Sequence, residues 1–268
     1  MSRYVNPVLA KLAPKISSRD EIRKALDEHY DALVMFLEGV ANDKWHLIVN
    51  GPTGSGKTEF TSSVLKRMDN ISVQNLSGTL SAVKLFSHLH DYRKKGQVTV
   101  IDDTDRILED TECLEVLKAA LDSQSKKSVD WSKYSVALGK ANTPDSFIYE
   151  GRCIIITNKV IQTQSTTTPT KQQQQLLPLI SRCNYFRAGL PSRDWEIEVL
   201  KMFMDDDRIR VFKEGNVSKE VRKEIIDFVE DNADDLREVS FRTVAQLLEL
   251  YTANKSHWKN MALASFGY

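Results

Sequence analysis

At 268 residues, 41% of them hydrophobic, the chain has the length for one α/β domain with a smaller companion and enough apolar material for a proper core. Its 37 Lys+Arg and 37 Asp+Glu cancel to a formal net charge of zero, which excludes a global pull towards nucleic acid or anionic membrane and leaves only local patches for such contacts. The apolar runs fall well short of the roughly 20 residues a membrane span needs, so no membrane role is expected.

The N-terminal stretch Met1–Lys15 has no sustained apolar segment of the secretory kind. The three cysteines, Cys113, Cys153 and Cys183, lack metal-ligand spacing and read as structural thiols in a reducing, cytoplasmic setting. Ser18-Arg19-Asp20-Glu21 has the form of a capping box, and Ile22, Leu26, Leu33, Phe36 and Leu37 follow near helical spacing. This predicts one or two helices over Arg19 to Val40, in a segment that can lie over a bound base although its residues name no contact.

The apolar run His46-Leu47-Ile48-Val49-Asn50 then enters Gly51-Pro52-Thr53-Gly54-Ser55-Gly56-Lys57-Thr58, and a helical segment from Lys57 to Met68 leads out. This is the full phosphate-loop pattern G-x-x-x-x-G-K-[ST] in strand–loop–helix context. Glycines let backbone N–H groups converge on an anion, and the helix N-terminus adds its partial positive charge. Lys57 can reach the β- and γ-phosphates, and the Thr58 hydroxyl can ligate Mg²⁺. The stretch predicts a nucleoside-triphosphate site, with nothing in the loop that reads the base.

Ile71 to Leu76 is a short strand by composition, Thr79 to Lys95 a helix, and Gly96 stands where a helix C-cap belongs. Gln97-Val98-Thr99-Val100-Ile101 is the next strand, and it delivers Asp102-Asp103 at its carboxyl end, where open α/β sheets bind ligands. Following a phosphate loop, this reads as the Walker B element, with Asp102 in the Mg²⁺ shell and Asp103 polarising the attacking water. Asp103 is one methylene shorter than the glutamate usual in that role, and Asp105 is a rival. Thr111 to Ser123 has an amphipathic helical pattern. Ser125 to Glu150 reads as an irregular, polar insertion carrying Trp131, Tyr134 and Phe147 among Lys126, Lys127, Lys133 and Lys140. Arg152 to Thr157 is a buried strand ending at Asn158, a polar tip able to hydrogen-bond a γ-phosphate or the attacking water. Gln162 to Gln175 is low-complexity and predicts a mobile loop. After Leu176–Ser181 and Arg182, Cys183 to Phe186 is the last short strand.

Five strands alternating with helices indicate a parallel sheet with right-handed crossovers. From Pro191 onward only helices are predicted, over Ser192–Asp205, Ser218–Glu230, Ser240–Asn254 and Ser256–Phe266. The expected division is an N-terminal helical segment over 1–40, an α/β nucleotide-binding domain over 41–190 and an all-helical lid domain over 191–268.

The ordered set resembles the AAA+ ATPases, a branch of the phosphate-loop NTPases, over roughly Arg19 to Phe266. It comprises Walker A at Gly51–Thr58, Walker B at Val98–Asp103, Asn158, Arg182 in Ser181-Arg182-Cys183, and Arg242 in Ser240-Phe241-Arg242. The resemblance implies a five-stranded parallel sheet flanked by helices with a smaller all-helical C-terminal lid. It implies ATP and Mg²⁺ as cofactors, Asn158 as sensor 1, Arg242 as sensor 2, and Arg182 as the arginine finger that a subunit inserts into its neighbour's site. Arg187 and Arg193 are rivals for the finger. A trans-acting finger implies a homo-oligomer, by family resemblance a ring of about six subunits. Leu117-Lys118-Ala119-Ala120-Leu121-Asp122, Phe147, Gly151-Arg152 and Asn158 also look like ATPases carried by bacteriophages, a group linked to DNA replication or recombination. That likeness implies residence in a host cytoplasm and a replication or recombination protein as partner.

Three classes of coupled work fit. The first is a nucleic-acid motor or helicase loader, with single-stranded or double-stranded DNA held by the Ser125–Glu150 insertion, where related helicases place a β-hairpin that projects into the ring pore. The second is a protein remodeller gripping polypeptide through pore aromatics. The third is a nucleotide-gated switch of slow turnover, which a poor Asp103 base would favour.

Overall fold

The apolar runs His46–Asn50, Gln97–Ile101 and Arg152–Thr157 become central strands because both of their faces are covered, as parallel sheets require. The computed structural model describes residues 5–16, 18–122, 128–133, 135–159, 171–204 and 216–267. By its internal contacts the chain divides into two units, Met1–Asp31 with Pro52–Ser63 and Ala188–Tyr268, and Ala32–Gly51 with Val64–Arg187.

Helices α1 (Pro7–Leu12) and α2 (Arg19–Ala41) precede the first strand, and α3 (Lys57–Leu65) follows it. The capping box forms as the sequence predicts, with the Ser18 N–H donating to the Glu21 carboxylate at 3.1 Å and the Glu21 N–H to the Ser18 hydroxyl at 3.3 Å. The helix it starts runs unbroken for 23 residues.

The unit built on Ala32–Gly51 and Val64–Arg187 holds the strands β1 (His46–Asn50), β2 (Ser72–Leu76), β3 (Gln97–Ile101), β4 (Ser128–Asp130), β5 (Ser146–Ile148), β6 (Arg152–Thr157) and β7 (Cys183–Arg187). The central sheet has five strands in the order β2-β3-β6-β1-β7, all parallel, with Val49 level with Ile156 and Ile101 level with Ile155. Leu47, Val49 and Ile154 have no exposure, which for each such side chain is worth about 1.5–3 kcal/mol against leaving it in water. Helices α4 (Ala82–Asp91), α5 (Thr111–Ala120), α6 (Val136–Lys140) and α7 (Lys171–Ile180) belong to the same unit. Leu85, Phe86, Leu89, Leu114, Leu117 and Leu179 join Ile48, Ile101 and Ile155 in its core.

Three sequence expectations are corrected here. The Ser125–Glu150 insertion is not irregular: β4 and β5 pair antiparallel, Val129 opposite Phe147, with α6 between them. Its residues 125–127 and Tyr134 lie outside the described residues. Lys171 to Gln175 are the first turns of α7 rather than loop, while 162–170 lie outside the described residues. Gly96 is not a helix C-cap, since α4 ends at Asp91 with Tyr92 as its cap. Its φ of +72° serves the turn into β3, where its N–H donates to the Asp43 carboxylate at 3.1 Å.

The other unit is helical. Beside α1, the first turns of α2 and the start of α3, it holds α8 (Arg193–Met204), α9 (Lys219–Asp231), α10 (Phe241–Ala253) and α11 (Trp258–Phe266). Trp195, Phe203, Phe228 and Trp258 are buried in it. An ion-pair network ties α2, α8 and α9, with Lys201 2.6 Å from Glu230, and Glu230 paired also with Arg19 at 2.5 Å. Among the described residues, no helix is long and apolar enough to cross a membrane.

Candidate functional site

Parallel pairing sends β1, β3 and β6 out of the sheet in one direction, so Gly51, Asp102 and Asn158 all leave carboxyl strand ends. The Gly51 N–H donates to the Thr157 carbonyl at 3.3 Å, joining the start of the loop motif to the end of β6. Asn50 does more than end its strand. Its buried side-chain amide donates to the carbonyls of Thr157 at 3.1 Å and Lys159 at 2.5 Å, the residues on either side of Asn158. The strand end that carries Asn158 is therefore clamped from β1, a positioning role that sequence reasoning missed. An asparagine closing an apolar strand beside a phosphate loop was the available signal.

At the end of β3 the Asp102 N–H donates to the Leu76 carbonyl at 2.9 Å, which fixes where its half-buried carboxylate begins. Asp103 is exposed and adopts φ +51°, and its N–H donates to the Asp102 Oδ1 at 3.0 Å. The left-handed turn separates the two acids, leaving Asp102 as a backbone-bound carboxylate and Asp103 facing solvent. Asp105 opens a short 3₁₀ turn, Asp105–Leu108, and its side chain lies outside the described residues. Arg182 follows α7, and its guanidinium reaches Asp122 at 3.3 Å and the Pro178 carbonyl at 2.5 Å. Arg187, at the end of β7, lies 5.6 Å from the centre of the Tyr185 ring.

In the helical unit the loop residues Pro52–Thr58 wrap the start of α3. Gly54 and Gly56 both have φ +76°, the left-handed region in which a side chain is strained. They also sit where no side chain fits: a Cβ on Gly54 would lie 2.2 Å from Glu238 Oε1, and one on Gly56 would lie 2.8 Å from the Phe241 ring. The Phe241 N–H donates to the Gly54 carbonyl at 3.2 Å, so the entry to α10 is bonded to the loop. Lys57 is buried, and its ammonium donates to the Pro52 carbonyl at 2.7 Å and lies 3.4 Å from the Ser55 hydroxyl. Ser240 caps α10 by accepting from the Thr243 N–H at 3.2 Å, and Arg242 follows as an exposed residue of its first turn. The structure thus brings Arg242 and the loop into one unit. Arg193, the other rival finger, is turned inward and donates to the Ala233 carbonyl.

Beneath the loop lies an aromatic cluster that the sequence did not announce. Tyr30 stands 4.9 Å from Phe60 and 5.1 Å from Phe203, and Phe203 stands 5.9 Å from Phe241. Such pairs contribute about 0.5–1.5 kcal/mol each beyond their buried area. They fix the first turns of α3 against α2, α8 and α10, and a cavity of about 260 Å³ adjoins Pro52–Ser55. Glu196 and Glu238 both line it. Burial, chiefly, pushes the Glu196 carboxyl up to about 7; Glu238 adds to the shift and Arg193 opposes it.

The loop fits a triphosphate on its own geometry. Two left-handed glycines three and five residues past Gly51 make a cradle of the kind in which backbone N–H groups converge on an anion, and Lys57 follows directly.

No family model matches the chain. A protein of Enterobacteria phage T4, described as an uncharacterized 36.7 kDa protein in the nrdC–mobD intergenic region, is 26% identical over 250 residues, 91% of this chain and 75% of its own length. Among solved structures, the RuvB Holliday junction branch migration motor of Thermotoga maritima is similar at 15% identity and a TM-score of 0.47, over 92% of this chain and 69% of that one. A point mutant of the same RuvB gives 15% identity and a TM-score of 0.47, over 93% and 70%. By its ordered motifs on a five-stranded parallel sheet, the chain resembles the AAA+ ATPases, and in sequence it is similar to a bacteriophage protein.

Proposed function

We propose that this chain hydrolyses ATP with Mg²⁺ as an AAA+ ATPase, working as an oligomer to move or remodel nucleic acid. One observation carries the hydrolase reading: a glycine cradle followed by Lys57 continues from β1 of a parallel sheet whose β3 ends in Asp102-Asp103. The roles follow from chemistry. Backbone N–H groups of Gly54 to Thr58 would bind the phosphates, and Lys57 would orient their β- and γ-oxygens. The Thr58 hydroxyl and Asp102 would hold Mg²⁺, which neutralises charge developing on those oxygens. Asp103 would accept the proton of the attacking water, and Asn158 would orient that water or the γ-phosphate. Arg242 would contact the nucleotide in its own subunit. Arg182 would complete the neighbour's site, since a guanidinium fork matches the equatorial oxygens of a transferring phosphoryl group.

The test of hydrolysis is phosphate release by wild type and Lys57→Ala. The variant is expected to lose nucleotide binding and turnover together, and unchanged turnover would overturn the reading. What supports the nucleic-acid part is the β4–β5 hairpin between α5 and β6, at the position where helicases of the resembled family carry their pore hairpin. Adding single-stranded DNA should raise the ATPase rate at low salt and less so at moderate salt, because phosphate contacts release counterions. A flat response across DNA and RNA would move the work to polypeptide.

A second reading, a nucleotide-gated switch of slow turnover, is favoured by Asp103 itself. Its exposed carboxylate on a left-handed backbone is poorly shielded from bulk water for a general base. Turnover far slower than nucleotide exchange would select it.

A further inference from the structure

Asn50 supplies only part of the grip on the chain around Asn158, and Lys159 supplies another part. The chain turns as it leaves β6, and the turn is tied from several sides. The Thr157 carbonyl accepts from the Gly51 N–H and the Asn50 amide, and the Thr157 hydroxyl accepts from the Lys159 N–H at 3.0 Å, closing the turn across Asn158. The Lys159 carbonyl takes the second bond of the Asn50 amide, at 2.5 Å. The Lys159 ammonium then bonds the Glu109 carboxylate. A lysine at a strand tip ordinarily trails into water, yet this side chain keeps only 22% of its exposure.

Glu109 is a firm anchor because its backbone is fixed on both sides. Its N–H donates to the Arg106 carbonyl at 3.0 Å, and Ile107 and Leu108 before it are buried. Asp110 after it caps α5 by accepting from the Cys113 N–H at 2.8 Å. The same segment begins at Asp102 and Asp103. Lys159 thus joins three strand ends of one unit: β1 through Asn50, which precedes the phosphate loop, β6 through its own backbone, and β3 through Glu109. Resting on the hydrolase reading above, we propose that Lys159 is a positioning residue for that reaction. Held at its carbonyl by Asn50 and at its ammonium by Glu109, it fixes Asn158 between the strand entering the phosphate loop and the segment that carries the two acids. Binding of a triphosphate draws on the loop N–H groups and on Lys57, whereas Asn158 acts on the γ-phosphate or the attacking water. Loosening Asn158 therefore costs turnover and spares affinity.

The experiment compares phosphate release, and calorimetric binding of the non-hydrolysable imido analogue of ATP, in wild type, Lys159→Met, Lys159→Arg and Glu109→Gln. Asn158→Ala and Asn158→Ala/Lys159→Met are measured beside them. Methionine keeps the apolar stem of lysine, and circular dichroism checks that each variant folds. Lys159→Met and Glu109→Gln should each lower kcat about threefold to fivefold, the range a partly exposed ion pair can supply, with analogue affinity held within about twofold. Lys159→Arg keeps the cation and should keep most of the rate. On the Asn158→Ala background, Lys159→Met should add nothing further, because the side chain it positions is gone. Unchanged kcat in Lys159→Met and Glu109→Gln, beside a wild type that Lys57→Ala inactivates, overturns the positioning role and leaves the hydrolase reading standing. A matching loss of analogue affinity overturns it as well, by making Lys159 a direct phosphate ligand. An undiminished effect of Lys159→Met on the Asn158→Ala background overturns action through Asn158. A wild type that releases no phosphate takes down both proposals.

Discussion

Gly56→Ala tests whether the loop owes its shape to the segment that opens α10. Two separate costs are built into this position. An alanine at φ +76° costs about 1–2 kcal/mol, because its Cβ crowds the backbone in the left-handed region. That Cβ would also lie 2.8 Å from both Cδ2 and Cε2 of Phe241, well inside contact distance, and overpacking of this kind costs about 1–3 kcal/mol. The expected loss is therefore about 2–5 kcal/mol, read from urea unfolding with buried Trp195 and Trp258 among the fluorescent reporters. Phe241→Ala removes the steric part and leaves the backbone part. The double variant should thus be more stable than the sum of the two single losses by about 1–3 kcal/mol. Additivity to within about 0.5 kcal/mol would refute the contact and, with it, the account of why glycine stands here. Nucleotide affinity should fall in Gly56→Ala and stay low in the double variant, because the backbone part persists and turns the cradle's N–H groups away.

Asp103→Asn should keep nucleotide affinity and lose phosphate release, and undiminished release would transfer the role to Asp105. Burial holds the His29 pKa at about 4 against an ordinary 6.5, and the Asn6 amide lies 3.3 Å from its Nδ1. The folded protein therefore keeps His29 neutral while the unfolded chain takes up a proton first. Its contribution is complete above the unfolded value and is lost as pH falls through that window, by up to about 3 kcal/mol. His29→Phe should flatten that slope in unfolding titrations between these two pH values, and an unchanged slope would assign the acid sensitivity elsewhere. Trp131→Ala should lower stability by about 2–3 kcal/mol, because its ring stands 5.6 Å from buried Phe86. Any DNA stimulation should survive that substitution in protein that remains folded; its selective loss would return Trp131 to a base-stacking role.

Legibility followed the range of each interaction. The loop, the strands beside it and the Ser18–Glu21 box rest on residues adjacent in sequence, where spacing alone carries the physics. The hairpin reads as irregular in sequence because β4 and β5 have three residues each, too few for an alternating pattern to register. Its order comes from afar: Phe147 packs 4.9 Å from Phe86, and the Trp131 backbone N–H donates to the Asp145 carbonyl at 2.7 Å. The Trp131 ring, 5.6 Å from Phe86, is engaged in the same packing. In α7 the glutamine run hid a helix, since Gln is a good helix former and buried Leu176 and Leu179 lie one turn apart. Glu196 and Glu238 carry no local signal, being charged residues in amphipathic surroundings until the fold sets both against one cavity.

The Arg182–Asp122 pair bears on how the proposed finger could work. An arginine that acts in trans must present its guanidinium to a neighbour, whereas here it is engaged within its own chain. Magnitudes decide whether that engagement is prohibitive. Both side chains keep more than a quarter of their exposure, 28% and 29%, so the pair is screened and worth about 0–1 kcal/mol. A guanidinium on a transferring phosphoryl group accounts for about 10³–10⁵ in rate, or roughly 4–7 kcal/mol at the transition state. Under the proposed role, the internal pair is weak enough to give way at the transition state of a neighbour's phosphoryl transfer. Until then it holds Arg182 in a defined pose beside α7. Under the proposed role, that would limit the conformational entropy lost on docking, so the ion pair that engages Arg182 in the isolated chain would also prepare it for a neighbour's site.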